Sequence, residues 1–186
     1  MDTYLLRFME RLPPNGAISV FDRSWYGRVL VERVEGLAPE QRWRHAYGEI
    51  RSFEQMLLDD GMRLVKLFFQ SAPDVQLQRF EQRLRNPYKR WKLTYEDFRN
   101  HEKWDAYVSA VDEMIERTST EGARWKIIPS NNKRHARIEA INHIVKIMSK
   151  DIEIKPFAPN GDVLDAADRI LNIDKELIAS LRGRTE

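Results

Sequence analysis

An α/β fold built on a parallel sheet is the class this sequence predicts, and two observations predict it. Short apolar, β-leaning runs alternate with amphipathic helical periods, and turn or cap residues separate the two kinds of segment. That alternation describes βαβ units covered by helices on both faces of the sheet. Right-handed crossovers then place every strand C-terminus on one edge, where ligands of such sheets bind.

The elements follow in order. Thr3–Leu12 reads as a helix, with Tyr4, Leu5, Phe8, Met9 and Leu12 on one stripe and Asp2 or Thr3 as its cap; "PPNG" stops it. Ala17–Phe21, flanked by turn signals, reads as a buried strand. Pro39–Asp60 is a long helix ending at Gly61, its inner face marked by Trp43, Tyr47, Ile50, Phe53, Glu54 and Leu57. "MRLVKLFF" (62–69) is a second strand, and Asp74–Leu84 a helix. "RNPYKRWKL" is an irregular basic connection, and Tyr95–Arg117 is helical again. "RWKIIP" (124–129) is a third strand, and a helix covers Lys133–Lys150. "KPFAPNGD" (155–162) is a linker before a closing helix over Val163–Leu181. Residues 1–150 thus form the α/β domain and 151–186 an appendage. Asp22, Gln70–Ser71 and Ser130–Asn132 fall together on the predicted functional edge.

Composition narrows the chemistry. A chain of 186 residues suits one domain with a sizeable core. Its net charge is only +2, so any strong anion site must be local. Without cysteine there is no disulfide or thiolate chemistry, which suits a cytoplasmic chain. No apolar run approaches the roughly 20 residues that span a bilayer, so no membrane partner is expected. The acidic, helical N-terminus does not read as a signal peptide. His45, His101, His135 and His143 show no metal-ligand spacing and read as surface or packing residues.

Three stretches carry candidate chemistry. "AISVFDRSWYGRVLVERVEG" (17–36) ends its apolar run on Asp22 and Arg23. An aspartate at a strand end holds Mg²⁺ beside phosphates in P-loop proteins, and the same pattern also makes a plain turn or helix cap. Arg23 and Arg28 could set guanidinium forks on phosphate oxygens. Over Arg79–Lys92, six cations (Arg79, Arg83, Arg85, Lys89, Arg90, Lys92) face one acid, Glu81. Arg79 and Arg83, at i and i+4, share a helical face. By itself this run reads first as a solvated basic helix and loop, with a single-strand nucleic-acid contact as the next alternative. "IIPSNNKRHAR" brings Asn132, Lys133 and Arg137 to the same edge; alternatively Asn131 caps the helix and the cations form its solvated face.

The string "FDRSWYGRVLVERVEG" closely resembles the polyphosphate kinase 2 family of P-loop phosphotransferases. The likeness runs on through "FFQSAPDVQLQRFEQRLRNPYKRWKLTYEDF" (68–98) and "WDAYVSAVDEMIERTSTEGARWKIIPSNNKRHAR" (104–137), with "YLLRFMERLP" before them. It implies a P-loop NTPase-like three-layer α/β/α fold with a helical lid over about 78–97. "SWYGRVLVERVEG" looks more like the branch associated with AMP phosphorylation. Carried over, Asp22 becomes a Mg²⁺ ligand, with Arg23 and Arg28 on phosphate or nucleotide. The six lid cations become a polyphosphate contact, and Asn132, Lys133 and Arg137 contact the nucleotide. Tyr88 and Trp91 are read as lid anchors, and Trp104 of "WDxY" as a buried structural residue.

The implied partners are inorganic polyphosphate and AMP, ADP or GDP. Nucleic acid is not an expected partner, and a homo-oligomer, dimer or tetramer, is. The implied reaction is in-line phosphoryl transfer without a covalent enzyme intermediate. Relatives carry a glycine-rich loop resembling G-x-D-x-x-G-K-G upstream of the segment matching Thr3–Leu12, and the sequence contains no such string. The first strand and the P-loop are therefore expected to be absent. A reading frame starting at an internal Met, one half of a split protein and a degenerate relative each account for this. Two other functions share these residues: a non-catalytic polyanion-binding module and a pseudo-enzyme subunit.

Overall fold

Two strands carry the sheet. In a computed structural model describing residues 4–153, 159–171 and 173–182, β1 (Lys66–Gln70) and β2 (Trp125–Pro129) pair in parallel, from Lys66↔Trp125 to Gln70↔Pro129. Successive side chains of a strand point to opposite faces, and both strands obey this. Phe68 and Trp125 pack into a cluster with Trp25, Tyr26, Tyr47, Ile50, Phe53, Leu57 and Met114. Leu67 and Ile128 face the other way, against Ala136 and Ala140. The sheet is therefore the middle of three layers, between α3 (Glu40–Asp59) with α6 (Trp104–Thr118) and α7 (Lys133–Met148).

Residues 17–21 do not form the expected strand. Ile18 and Val20 are 72% and 90% exposed, and only Phe21 packs, edge-on to Phe8 and Trp25. A strand exists only where a neighbour takes up its N–H and C=O groups. Among the described residues β1 and β2 pair solely with each other, so this segment has no ladder to join. The three-strand expectation becomes a two-stranded sheet.

Other boundaries shift for local reasons. The first helix contracts to α1 (Leu6–Met9), its expected cap at Asp2 or Thr3 lying outside the described residues. "VERV" forms α2 (Val31–Val34), which Gly36 ends in the left-handed region at φ 68° while Leu37 N–H returns to the Glu32 carbonyl at 2.8 Å. α4 (Pro73–Arg85) begins with proline at its first position. The expected helix over 95–117 is broken at Lys103 into α5 (Tyr95–Glu102) and α6. Trp104, expected to be buried, is half-buried at that break.

Clustering of contacts separates 1–148 from 149–186. In the second unit the expected single helix is two, α8 (Gly161–Ile170) and α9 (Lys175–Arg182), because the backbone extends at Leu171 and Asp174 caps a new start. Leu164 and Ile178 are its buried apolar residues, and Arg182 pairs with Asp165. Of the expected linker, residues 155–158 lie outside the described residues.

A buried ion pair joins the first layer to the sheet. Lys66 Nζ sits 2.8 Å from Glu54 Oε2 and donates to the Thr118 carbonyl at 2.7 Å. Glu54 Oε1 accepts from Tyr26 Oη at 2.6 Å and from Trp25 Nε1 at 3.1 Å. Burial, and then Glu54, push the Tyr26 phenol well above its ordinary range, so it stays a donor. Replacing Glu54 by glutamine strands a buried ammonium, and Glu54→Gln is expected to cost about 3–5 kcal/mol. Urea unfolding at constant m-value measures this; a loss under about 1 kcal/mol would show that the pair does not hold the layers together.

Candidate functional site

The C-terminal edge of the sheet is stitched by short polar contacts. Ser130 N–H donates to the Gln70 carbonyl at 2.6 Å, extending the ladder one step beyond the strands. Asn131 Oδ1 accepts the Ala72 N–H at 2.8 Å, fixing the start of α4. Asn132 Oδ1 accepts the N–H groups of Arg134 and His135 at 3.0 and 3.2 Å, so it caps α7. Asparagine 132, not 131, is therefore the cap. Arg79 reaches back from α4 and donates to the carbonyls of Ser130 and Asn131.

These contacts gather cations. Lys133, the first residue of α7, lies within electrostatic reach of Arg79, Arg83, Lys89 and Arg137. Desolvation first, and then repulsion from those four, lower its ammonium pKa below the ordinary lysine value. Five like charges at a helix N-terminus form a site that an anion would relieve. They come from α4, from the loop after it and from α7, so two segments read separately in the sequence supply one cluster. Arg83 is also 3.9 Å from Asp97.

The other predicted residues are placed differently. Arg85 is paired with Glu81, one helical turn away, at 2.6 Å. Arg90 donates to the Leu84 carbonyl at 2.8 Å, and Lys92 lies 5.0 Å from the centre of the Trp91 ring. Asn132 spends its side-chain oxygen on the helix cap. Arg28 is buried, 2.8 Å from Glu32 and 4.4 Å from the centre of the Tyr4 ring, so its guanidinium braces the turn instead of facing solvent. Tyr88 and Trp91 are exposed and do not anchor the lid.

Asp22 is exposed and makes no hydrogen bond or ion pair among the described residues. Arg23 beside it is held at φ 67°, a left-handed conformation that costs a non-glycine residue on the order of 1–3 kcal/mol. The 3₁₀ turn Trp25–Arg28 that follows is pinned through Trp25 and Tyr26 to Glu54. Arg23 lies within electrostatic reach of Tyr107, whose hydroxyl approaches Glu35 at 3.4 Å and Asn100 at 3.3 Å.

Glu35 and Arg33 are the residues that the sequence reading missed in "VERVEG". Arg33 donates to Tyr47 Oη and Glu113, at 3.0 and 2.6 Å. Glu35 receives Lys103 at 3.0 Å and Arg99 at 3.2 Å, tying the end of α2 to α5 and α6. An acid and an arginine two residues apart in so short a helix were the available signal.

The family model described as Polyphosphate kinase 2 (PPK2) matches residues 1–156. This chain belongs to the polyphosphate kinase 2 family. It is 48% identical over 141 residues to a polyphosphate:AMP phosphotransferase of Pseudomonas aeruginosa, covering 76% of this chain and 28% of that protein. It is 42% identical over 142 residues to an AMP/ADP-polyphosphate phosphotransferase of Meiothermus ruber, covering 76% and 53%. The crystal structure of a polyphosphate kinase 2 from Pseudomonas aeruginosa superposes with a TM-score of 0.77 at 46% identity, over 79% of this chain and 32% of that one. The chain spans less than a third of the length of the polyphosphate:AMP phosphotransferases it matches. Those matches extend the likeness from quoted strings to three-dimensional fold: a mostly helical α/β unit on a small parallel sheet.

For this family member, Glu35 supplies a pH test of the scaffold beside Arg23. The hydrogen bond from Lys103, helped by the charges of Arg99 and Lys103, holds its carboxyl below the usual carboxylate value. A lowered folded pKa contributes stability above the unfolded value of about 4.5 and loses it as pH falls further. Glu35→Gln is therefore expected to lower the urea midpoint at pH 7 and to converge with the parent near pH 3. An equal deficit at both pH values would mean that charge is not what Glu35 contributes.

Proposed function

We propose that this chain forms part of a phosphotransferase that moves phosphoryl groups between inorganic polyphosphate and a nucleoside mono- or diphosphate, with AMP or ADP as the acceptor type. The observation that carries the reading is the anchoring of Arg79 on the carbonyls of Ser130 and Asn131, which brings the basic run of Arg79, Arg83 and Lys89 within electrostatic reach of Lys133 at the start of α7, where Arg137 also acts. A chain of phosphates bears a charge on every unit and suits cations spaced along a helix and a loop. The relatives' names supply the substrate classes. The chain spans under a third of the polyphosphate:AMP phosphotransferases it matches and contains no glycine-rich phosphate loop, so transfer requires a phosphate-cradling glycine loop from outside this sequence.

Within that reaction the residues divide the work. Arg83, Lys89 and Lys133 bind successive phosphates, and Arg137 extends the row along α7. Arg79 holds the lid helix to Ser130 and Asn131 and adds its charge from there. Arg23, strained and beside Asp22, is poised to meet the transferring group. Arg28 positions that turn from below. The lid over 78–97 excludes water that would otherwise take the phosphoryl group.

A divalent metal fits one place. Asp22 is an exposed carboxylate without a partner among the described residues, and Mg²⁺ commonly takes one or two carboxylates together with substrate phosphates and waters. No group of three His, Cys, Asp or Glu among the described residues could hold a metal alone. Asp22 would hold Mg²⁺, which when bound neutralises charge on the phosphate oxygens. A cytoplasmic location, which a chain without cysteine suits, and assembly as a homo-oligomer belong to the same reading.

The test is binding by the 186-residue chain. The double variant Arg83→Gln/Lys133→Gln is expected to weaken long-chain polyphosphate at least tenfold and to reduce the slope of log K against log salt by roughly 1–2. Unchanged affinity and slope would remove the cluster from the substrate path. In the complete, loop-bearing protein, Asp22→Asn is expected to abolish metal-dependent transfer while preserving the thermal midpoint; undiminished transfer would contradict the metal role.

A further inference from the structure

The lid carries three large rings that phosphate cannot use. Tyr88, Trp91 and Tyr95 are 87%, 76% and 78% exposed. They alternate with Lys89, Arg90 and Lys92, and no acid lies between Glu81 and Glu96. Inorganic polyphosphate accounts for the cations. It offers no π-face, so it leaves the rings without a purpose.

The rings stand on an ordered loop. Asn86 accepts the Tyr88 N–H on its side chain at 3.0 Å and the Lys89 N–H on its carbonyl at 2.9 Å. Trp91 Nε1 donates to the Tyr88 carbonyl at 3.1 Å, so the indole's one polar atom is satisfied inside the loop and its faces are left to other contacts. Arg90 is tied to Leu84, and Thr94 N–H donates to Asp97 at 2.8 Å where α5 begins. Much of the conformational entropy that a stacking ligand would otherwise have to remove is already lost. Among the described residues no aromatic ring packs on any of the three; the lid's own ring pair is Phe80–Phe98. The Lys92 ammonium lies over one face of the Trp91 ring, 5.0 Å from its centroid, which leaves the opposite face of this largely exposed indole for stacking.

We propose that this loop binds single-stranded nucleic acid, its bases stacking on Tyr88, Trp91 and Tyr95 while Lys89, Arg90 and Lys92 follow the sugar–phosphate backbone. Aromatic platforms inside a positive track are how sequence-tolerant single-strand binders work. A mononucleotide would occupy one ring, whereas three rings distributed over residues 88–95 suit consecutive bases. A protein partner is disfavoured by the unbroken positive charge around the rings. The expectation that nucleic acid is not a partner rested on the resemblance, which accounts for the cations of this loop and not for its exposed rings. The inference shares Lys89 with the phosphate row and differs from phosphoryl transfer in using ring faces that transfer leaves idle.

Fluorescence anisotropy of a labelled 15-mer of dT with the intact 186-residue chain tests it, with long-chain polyphosphate binding measured in parallel. Trp91→Ala is expected to weaken the oligonucleotide about tenfold, the scale of one lost base–aromatic stack. Trp91→Phe should retain most of the affinity, and polyphosphate binding should be unchanged in both. Three results would overturn the inference: oligonucleotide affinity indifferent to Trp91→Ala, loss of polyphosphate and oligonucleotide binding in equal measure, or complete displacement of the oligonucleotide by AMP alone. Loss of polyphosphate binding in the Arg83→Gln/Lys133→Gln chain bears on transfer instead, so the two readings fail separately.

Discussion

One buried ion pair sets the frame for everything near the candidate site. Lys66 begins β1, Glu54 lies on the inner face of α3, and their contact at 2.8 Å is closed to water. A charge in that position is tolerable only because every polar neighbour answers it: Thr118 from α6, and Tyr26 and Trp25 from the turn after Asp22. The same carboxylate thus fixes the sheet to the first helical layer and holds the 3₁₀ turn behind Arg23. The strained backbone at Arg23 can persist because the residues that follow it are over-determined.

At the opposite end of β1 the balance is reversed. There, charges of one sign are brought together without an internal answer. Among the described residues Arg79 donates to carbonyl oxygens, Arg83 has a distant Asp97, and Lys89, Lys133 and Arg137 have no acid bonded to them. Keeping such a cluster costs stability, and the asymmetry between the satisfied pair and the unsatisfied cations is what favours this end of the sheet as the proposed ligand edge. The lid's rings add a second unsatisfied surface a few residues further on.

Much of this was readable from residue order, and what was not has a physical reason. The long α3 period exposed its inner face, Glu54 included, and the βαβ alternation placed Gln70 and Ser130–Asn132 on one edge. Helix capping at adjacent asparagines cannot be assigned from spacing, since both Asn131 and Asn132 precede α7 and the difference is which N–H each oxygen meets. The Glu81–Arg85 spacing of four was visible and should have withdrawn Arg85 from the substrate row. Lys66 reads as an interruption in a strand, because its partner is set by packing twelve residues back. Ala17–Phe21 has every local mark of a strand and is not one, for pairing is a property of two segments and among the described residues no strand lies beside it. Exposure of Trp91 likewise depends on what the fold leaves uncovered, which no local pattern records.

The pivotal measurement is the ionisation of Lys133 itself. In a chain carrying isotope-labelled lysine, the side-chain resonances of Lys133 can be titrated with and without tripolyphosphate. Its pKa is expected to lie below the ordinary lysine value when the site is free and to rise once the anion sits among Arg79, Arg83, Lys89 and Arg137. A Lys133 that titrates at the same pH in both conditions would contradict a phosphate chain at this edge of the sheet.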